Sequence, residues 1–531
     1  MNVYLLYRDR EWVNIKKFFD SKSVVQDLGL KTLYTNAGKD VIFENGNVKK
    51  ILEQDPYIVD TMSKVMVAPL VSKEEILYRQ DVIKDCLQNE DFIKQLYSEA
   101  GRVISEWDKL GRKSGYTGRQ DLAAWAEKQI HLTALFAGGL KEIKRILRVN
   151  TKFFESEGLK SLSERICAQF DDEYEKNIEK LISDVSFYTK ESEDKDGNVY
   201  IHMPKIAFRG KLGPGLKLEN IVLENVDSES IRYRNPKSTI AKIVEFKNSL
   251  TPNSFSSKLT PAIEKQVEEL EQNIVNYSMS FTRAFIEKFS GFFEQLLLQT
   301  AFYRGAVNLR HHMKRTDIVY SFPSVCDNKN LSFIELKEFV MCMEQRVNAV
   351  GNTCSILNKQ LVIITGANQG GKSTFLRSFG QAQLMTQCGM FTSGDSFVAP
   401  VRLNIFSHFR KEEHTDMNHG KFDEELTRLD RITDRLTKDS LIIFNEAFAA
   451  TNEREGSEIC RQVIRALVES GVEVFTVTHL YSYAASELDN PEAVFLRAER
   501  LENGERTFRI VPGEPFVTAF GEDLYKKIFK V

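Results

Sequence analysis

Gly366-Ala367-Asn368-Gln369-Gly370-Gly371-Lys372-Ser373, followed by Thr374, has the spacing G-x-x-x-x-G-K-[ST]. Glycines at these positions let the backbone curl until several N–H groups point at one anion, and a following helix adds its positive N-terminal end. Lys372 is placed to reach the β- and γ-phosphates of a nucleotide, and the Ser373 hydroxyl to ligate Mg²⁺. The run Leu361-Val362-Ile363-Ile364 just upstream reads as a buried strand. That strand–loop–helix context separates a phosphate-binding (Walker A) loop from a Gly-rich turn. ATP or GTP binding is expected, with Gly366 to Thr374 as the nucleotide-binding residues.

Hydrolysis needs an acid that positions the metal and a group that orients water. The apolar run Leu441-Ile442-Ile443-Phe444 ends at Asn445-Glu446, where such a pair belongs. Glu446 is expected to polarise the attacking water. Asn445 stands where an Asp would ordinarily help hold the Mg²⁺ hydration shell. Its amide can accept a hydrogen bond from a metal-bound water but brings no charge, so weak Mg²⁺ binding and slow turnover are expected. A further strand, Val472–Val477, ends at Thr478-His479. His479 can contact the γ-phosphate or serve only as a polar strand terminus.

From 319 to 531 strands and helices alternate, as an α/β nucleotide-binding domain requires. Helices are expected at Thr374–Cys388 and 454–470, and an Asn503-Gly504 turn joins 493–501 to 505–511. Residues 1–60 mix short apolar runs with turn signals and form a small N-terminal element of no evident chemistry. Residues 61–194 read as helices, around 75–100, 118–148 and 157–186, with Phe153 and Phe154 between them as core. At 195–258 glycines, prolines and short alternating runs indicate strands and loops. Basic residues gather there, including Arg209, Lys211, Arg232 and Arg234, interleaved with Phe208 and Tyr233. They offer a surface to a phosphate backbone, or only a solvated face, since Glu219, Glu224, Asp227, Glu229 and Glu245 dilute them. Thr260-Pro261 opens a long helix. Its stripe Ile263, Val267, Leu270, Ile274, Tyr277 and Phe281 steps by threes and fours. It is expected to reach about Asn308, roughly 70 Å if unbroken, with Gly291 and Gly305 as weak points.

The 531 residues, 42% hydrophobic and 28% charged, describe a folded multidomain chain. A net charge of −3 gives no overall attraction to nucleic acid, so any such contact needs a local patch. Seven scattered cysteines without C-x-x-C pairing read as free thiols. Arg8 and Asp9 interrupt the N-terminus too early for a signal peptide, and no stretch is long and apolar enough for a membrane span. A cytoplasmic location is expected.

The segment TGANQGGKSTFLRSFGQAQLMTQCGMFTSGDSF (365–397) resembles the ATPase domain of the MutS mismatch-repair family. So do LIIFNEAFAATNEREGSEI (441–459) and VFTVTHL (474–480), at matching spacing. MVAPLVSKEEILYRQDVIKDCL (66–87) is similar to that family's helical core, and the long helix and the 195–258 insertion match its lever and DNA-clamp elements in order. The resemblance covers roughly residues 60 to 531. It implies a multidomain chain: an N-terminal element (1–60), a mainly α-helical core and lever (61–194 and 259–318), a small β-containing clamp-like insertion (195–258), and an α/β P-loop (ABC-type) ATPase domain (319–531). Glu446 matches the catalytic carboxylate and His479 the switch histidine. Gly420, in place of the family's Ser, and Glu425 align with a segment near the partner's nucleotide, which implies a homodimer with composite sites. ATP and Mg²⁺ are the implied cofactors and duplex or unusual DNA the implied partner.

Departures from the family pattern are Asn445 for Asp, Phe448-Ala449-Ala450 after the Glu, and the lack of a Gly-Asp-Phe-Tyr-Glu-type wedge motif or a following nuclease-like domain. Two functions therefore stand side by side. One is a dimeric ATP-dependent clamp that switches its grip on mismatched or otherwise unusual DNA. The other is an ABC-type mechanochemical ATPase acting on a protein or RNA partner without mismatch recognition.

Overall fold

A computed structural model describes residues 2–10, 12, 21–110, 122–186, 191–193, 199–212, 218–233, 261–345, 349–410 and 421–516. Two compact units divide the chain. One comprises Ser98–Val149 and Ser163–Glu294, the other Asn2–Tyr97, Asn150–Leu162 and Gln295–Val531. The N-terminal residues thus share a unit with the nucleotide-binding pattern.

The first unit is helical with a β-ribbon. Helices Leu122–Asn150 and Asp172–Ser186 appear where they are expected, and the 157–186 stretch is interrupted at Phe170-Asp171. The Asp171 carboxylate accepts from Tyr174 N at 2.7 Å, which caps a new helix start. Aromatic rings fill the core: Phe136 lies 5.6 Å from Phe293, and Phe289 lies 4.6 Å from Phe285. Lys144 is buried and bonds to Asp172 and Glu175, so its charge is matched. Strands Val199–Leu212 and Leu218–Tyr233 pair antiparallel, with Glu191–Glu193 beside them. The helix Pro261–Arg315 contributes its first part here. It is unbroken over 55 residues, about 80 Å at the standard rise, and runs straight through Gly291 and Gly305.

Gly305 is no weak point, because the close approach of helix Pro56–Met66 uses it. A β-carbon there would lie 2.8 Å from Met62 Sδ. The Phe153-Phe154 pair is split: Phe154 is buried against Phe92 at 4.9 Å, whereas Phe153 is half exposed on a short 3-10 turn. The 75–100 stretch divides at Asn89, whose side chain accepts from Phe92 N at 3.2 Å.

The second unit carries a six-stranded sheet in the order Ile405–Phe409, Leu441–Asn445, Glu473–Val477, Leu361–Gly366, Ala493–Arg500, Arg506–Pro512. The first five run parallel and the last is antiparallel. Central parallel strands are covered on both faces, which explains their continuous apolar runs. Leu361 to Ile364 and Leu441 to Phe444 are all fully buried. The helix Lys372–Gln387 packs beneath with Phe375, Leu376 and Phe379 inside.

The N-terminal residues are woven into this unit. The Gln299 side chain accepts from Leu5 N at 2.8 Å and Leu6 N at 3.0 Å and donates to Val3 O at 2.8 Å. Arg79, fully buried, donates to Leu6 O through Nε and Nη2 and to Cys388 O through Nη1. Asp27 accepts from Ser407 Oγ at 2.8 Å, and Gln381 donates to Leu28 O at 2.9 Å. Among the described residues no helix is long and apolar enough to cross a membrane.

Candidate active site

Ligands of open α/β sheets bind beyond the carboxyl ends of the strands. The parallel register aligns Ile364 with Val477 and Val477 with Asn445. One row therefore brings together the loop after Gly366, the Asn445-Glu446 corner and His479, from three separate segments of the sequence.

The loop is shaped by its glycines. Gly366 has φ +111° and Gly371 φ +89°, left-handed conformations that glycine alone adopts freely. A β-carbon at Gly366 would also lie 2.8 Å from Ala498 N. Gly371 leads into the helix Lys372–Gln387, whose first N–H groups face the loop's hollow. The Lys372 ammonium donates to Gly366 O and Ala367 O, both at 2.9 Å. Burial pulls its pKa down to about 8, against the opposing pull of Glu446. The Ser373 hydroxyl donates to Asn445 Oδ1 at 2.9 Å.

A cavity of about 510 Å³ opens above the loop. Asn368 to Phe375, Glu446 and His479 line it, together with the apolar Met341, Ala349, Val350 and Phe508. Glu338 also lines it. Its carboxyl is held by Gln381 Nε2 and Met341 N, and burial pushes its pKa up.

His479 Nε2 lies 3.0 Å from Glu446 Oε1, and Arg410 Nη1 lies 4.0 Å from Oε2. The hydrogen bond from His479 is the main reason the Glu446 carboxyl sits below the usual carboxylate range, against the opposing effect of burial. Arg410 was not foreseeable, since it follows an edge strand whose placement depends on the whole sheet.

Glu425 turns inward. On helix Lys421–Thr433, its Oε1 accepts from Phe448 N of the same chain at 2.7 Å and lies 3.5 Å from His408 Nε2. Burial opposes its ionisation, but His408, the Phe448 amide and Arg428 outweigh it and hold its pKa down. The expected reach towards a partner's nucleotide thus meets a carboxylate already engaged in its own chain. Gly420 lies outside the described residues.

Three of the basic residues are spread along the backbone of the ribbon. Arg232 pairs with Tyr200 and Arg209 with Val222 on the two-stranded ribbon, and Lys211 pairs with Glu219 near its turn. Nine residues of strand separate Tyr200 from Arg209, roughly 30 Å. Arg234 lies outside the described residues.

The arrangement fits a nucleoside triphosphate with a divalent ion. Ser373 Oγ and Asn445 Oδ1 are adjacent hard oxygen donors at the loop. Among the described residues no group of three or more His, Cys, Asp or Glu could hold a metal by itself. An ion here needs phosphate oxygens and water to complete its shell.

Residues 71–316 match the family model for the MutS2 N-terminal domain, and residues 362–509 that for MutS domain V. An Endonuclease MutS2 of Thermus thermophilus is 29% identical over 134 residues, 25% of this chain and 18% of that protein. One of Brevibacillus brevis is 27% identical over 158 residues, 29% of this chain and 20% of that protein. The DNA mismatch repair protein MutS of Thermotoga petrophila is 23% identical over 331 residues, 61% of this chain and 40% of that protein. The aligned part thus spans well under half the length of each of these relatives.

Proposed function

Because this chain belongs to the MutS family, we propose that it is an ATP-hydrolysing, DNA-binding protein in which the nucleotide state sets the grip on DNA. The convergence of Lys372, Ser373, Glu446 and His479 around one cavity, with Asn445 bonded to Ser373, carries this reading. Lys372, whose ammonium bonds to the carbonyls of Gly366 and Ala367, is placed to bind the β- and γ-phosphates. The loop and helix N–H groups bind the phosphate oxygens, and the apolar Val350 and Phe508 take the face of the base. Mg²⁺, when bound, neutralises charge developing on the phosphoryl oxygens. Ser373 would hold it, and Asn445, bonded to Ser373, would add a neutral oxygen acceptor beside it. Glu446, ionised at neutral pH, accepts a proton of the attacking water, and His479 donates to Glu446 and fixes its rotamer.

The wider assignment follows the family. A homodimer, with the segment at Gly420 reaching the partner's nucleotide, forms a clamp around duplex or unusual DNA. The ribbon at 199–233 contacts the backbone, and the helix Pro261–Arg315 serves as a lever. Arg209 and Lys211, near one end of the paired ribbon, form one contact, and Arg232, near the other end and two residues before Arg234 in sequence, belongs to a second. That separation, with the near-neutral chain, also favours a second reading: a mechanochemical ATPase that grips a protein or RNA partner.

Fluorescence anisotropy with duplex, mismatched and branched DNA, and with structured RNA, across salt concentration and with ADP or ATP, distinguishes the two. Salt-sensitive DNA binding that changes with nucleotide is expected. Neutralising either basic pair should weaken it and flatten its salt slope. ATPase activity with no DNA binding in any nucleotide state would transfer the assignment to the second reading.

A further inference from the structure

The corner that carries Glu446 is held in an unusual backbone path. Glu446 has φ +56° and Phe448 φ +62°, a left-handed conformation at two non-glycine residues within three positions. Such a path persists only where its surroundings over-determine it. Glu446 N donates to Val477 O at 2.9 Å, which fixes the start of the corner. Its far end is fixed by a carboxylate, Glu425 Oε1, which accepts from Phe448 N at 2.7 Å.

The carboxylate is itself braced from behind. Arg428 Nε, always a donor, points at His408 Nδ1 at 3.2 Å. Nδ1 is therefore the acceptor, and the His408 proton sits on Nε2, directed at Glu425 Oε1 at 3.5 Å. Arg428 Nη2 is tied to Phe409 O at 2.6 Å. His408 is fully buried, and its ring stacks on that of Phe448 with centroids 6.5 Å apart. A chain of polar groups thus runs from Arg428 through His408 and Glu425 to the amide two residues beyond Glu446. None of these groups lines the nucleotide cavity.

We propose that Glu425 is a positioning residue for hydrolysis. By holding Phe448 N–H it keeps the corner wound, so that the Glu446 carboxylate stands over the phosphate-binding loop. His408 and Arg428 keep Glu425 in place. The inference rests on the ATPase reading above and deepens it by assigning within one chain a residue whose family alignment points across a dimer.

The test uses the full chain with Glu425→Ala, Glu425→Gln, Glu446→Gln and the double variant Glu425→Ala/Glu446→Gln. Steady-state and single-turnover ATP hydrolysis, affinity for a fluorescent ADP, and the unfolding midpoint are measured for each. Displacing the catalytic carboxylate should lower kcat on the order of 100-fold in Glu425→Ala, with ADP affinity unchanged. Glu425→Gln retains an acceptor for Phe448 N–H and should recover most of that loss. In the Glu446→Gln background, Glu425→Ala should have no further effect, because the group it positions is gone.

Equal losses in both backgrounds, or a loss of ADP affinity matching the loss of turnover, would overturn the proposal. If Glu425→Ala does not fold, Glu425→Gln decides: turnover near wild type supports the role, and a loss as large as that of Glu446→Gln removes it. A wild-type chain that hydrolyses ATP with Glu425→Ala indistinguishable from it sinks this proposal alone. A wild-type chain without hydrolysis sinks the ATPase reading as well.

Discussion

The Ser373 hydroxyl and the Asn445 side-chain oxygen meet at 2.9 Å, joining the start of the phosphate-loop helix to the end of strand Leu441–Asn445, one strand beyond the neighbour of Leu361–Gly366. Both are uncharged, so the oxygen pair offered to a divalent ion carries no compensating charge of its own. The nearest carboxylate in sequence, Glu446, is bonded to His479.

Asn445→Asp supplies the missing charge in nearly the same volume. The Mg²⁺ concentration for half-maximal ATPase activity should fall about tenfold, and turnover at limiting Mg²⁺ should rise. A magnesium titration of wild type and variant checks this; superimposable curves would remove Asn445 from the metal's surroundings.

Lys372 gives nucleotide affinity a pH signature. Burial lowers its pKa to about 8, and phosphates favour the protonated form. Affinity for ADP should therefore hold steady below that pH and fall, approaching about tenfold per unit, above it. Lys372→Arg should bind with no such dependence in the same range. The linkage to stability has the opposite slope. Between about 8 and the ordinary lysine value the unfolded chain holds the extra proton, so the nucleotide-free protein gains stability as pH rises. Isothermal titration and thermal melts across alkaline pH measure the two.

His479 keeps Glu446 ionised in acid. With the histidine removed, burial is left as the dominant influence and the carboxyl pKa rises. The acidic limb of the kcat profile should move to higher pH in His479→Ala. An unmoved limb, whatever the drop in kcat, would mean that the pair seen at 3.0 Å does not govern the reaction.

Arg79→Met probes the buried attachment of the N-terminal residues. It leaves the carbonyls of Leu6 and Cys388 without their guanidinium donors while filling much of the space. A loss of about 3 kcal/mol is expected in the unfolding transition of this unit, read as a lower urea midpoint. A change below about 0.5 kcal/mol, as at ordinary surface positions, would contradict the burial.

The parts of the site that lie at the ends of buried parallel strands are legible in the sequence. There, an apolar run stops abruptly at Gly366, Asn445 or Thr478-His479, and parallel pairing lines those stops up. The long helix is legible too, from its stripe of apolar residues, although its passage through Gly305 depends on Met62 in another helix.

Buried charge is not legible. Arg79, Arg402 and Glu473 resemble surface residues until the fold places partners beside them, as when Arg402 Nη2 meets Glu473 Oε2 at 2.6 Å. The orientation of Glu425 was hidden for the same reason. On an amphipathic helix rich in Asp and Glu nothing marks one carboxylate as the inward one, and its partner His408 sits in a strand buried along its whole length.

The hydrogen bond between Asp27 and Ser407 spans 380 residues of sequence. On the ribosome Asp27 emerges roughly 20 to 80 s before its partner. For most of that interval Leu28, fully buried in the finished unit, lacks the helix that brings Gly380 against it. Contacts of such separation make folding slow and expose apolar surface to association with other chains. Completion of the nucleotide site is thereby a late event of synthesis, and a chain stalled before Ser407 leaves an apolar segment for chaperones to hold.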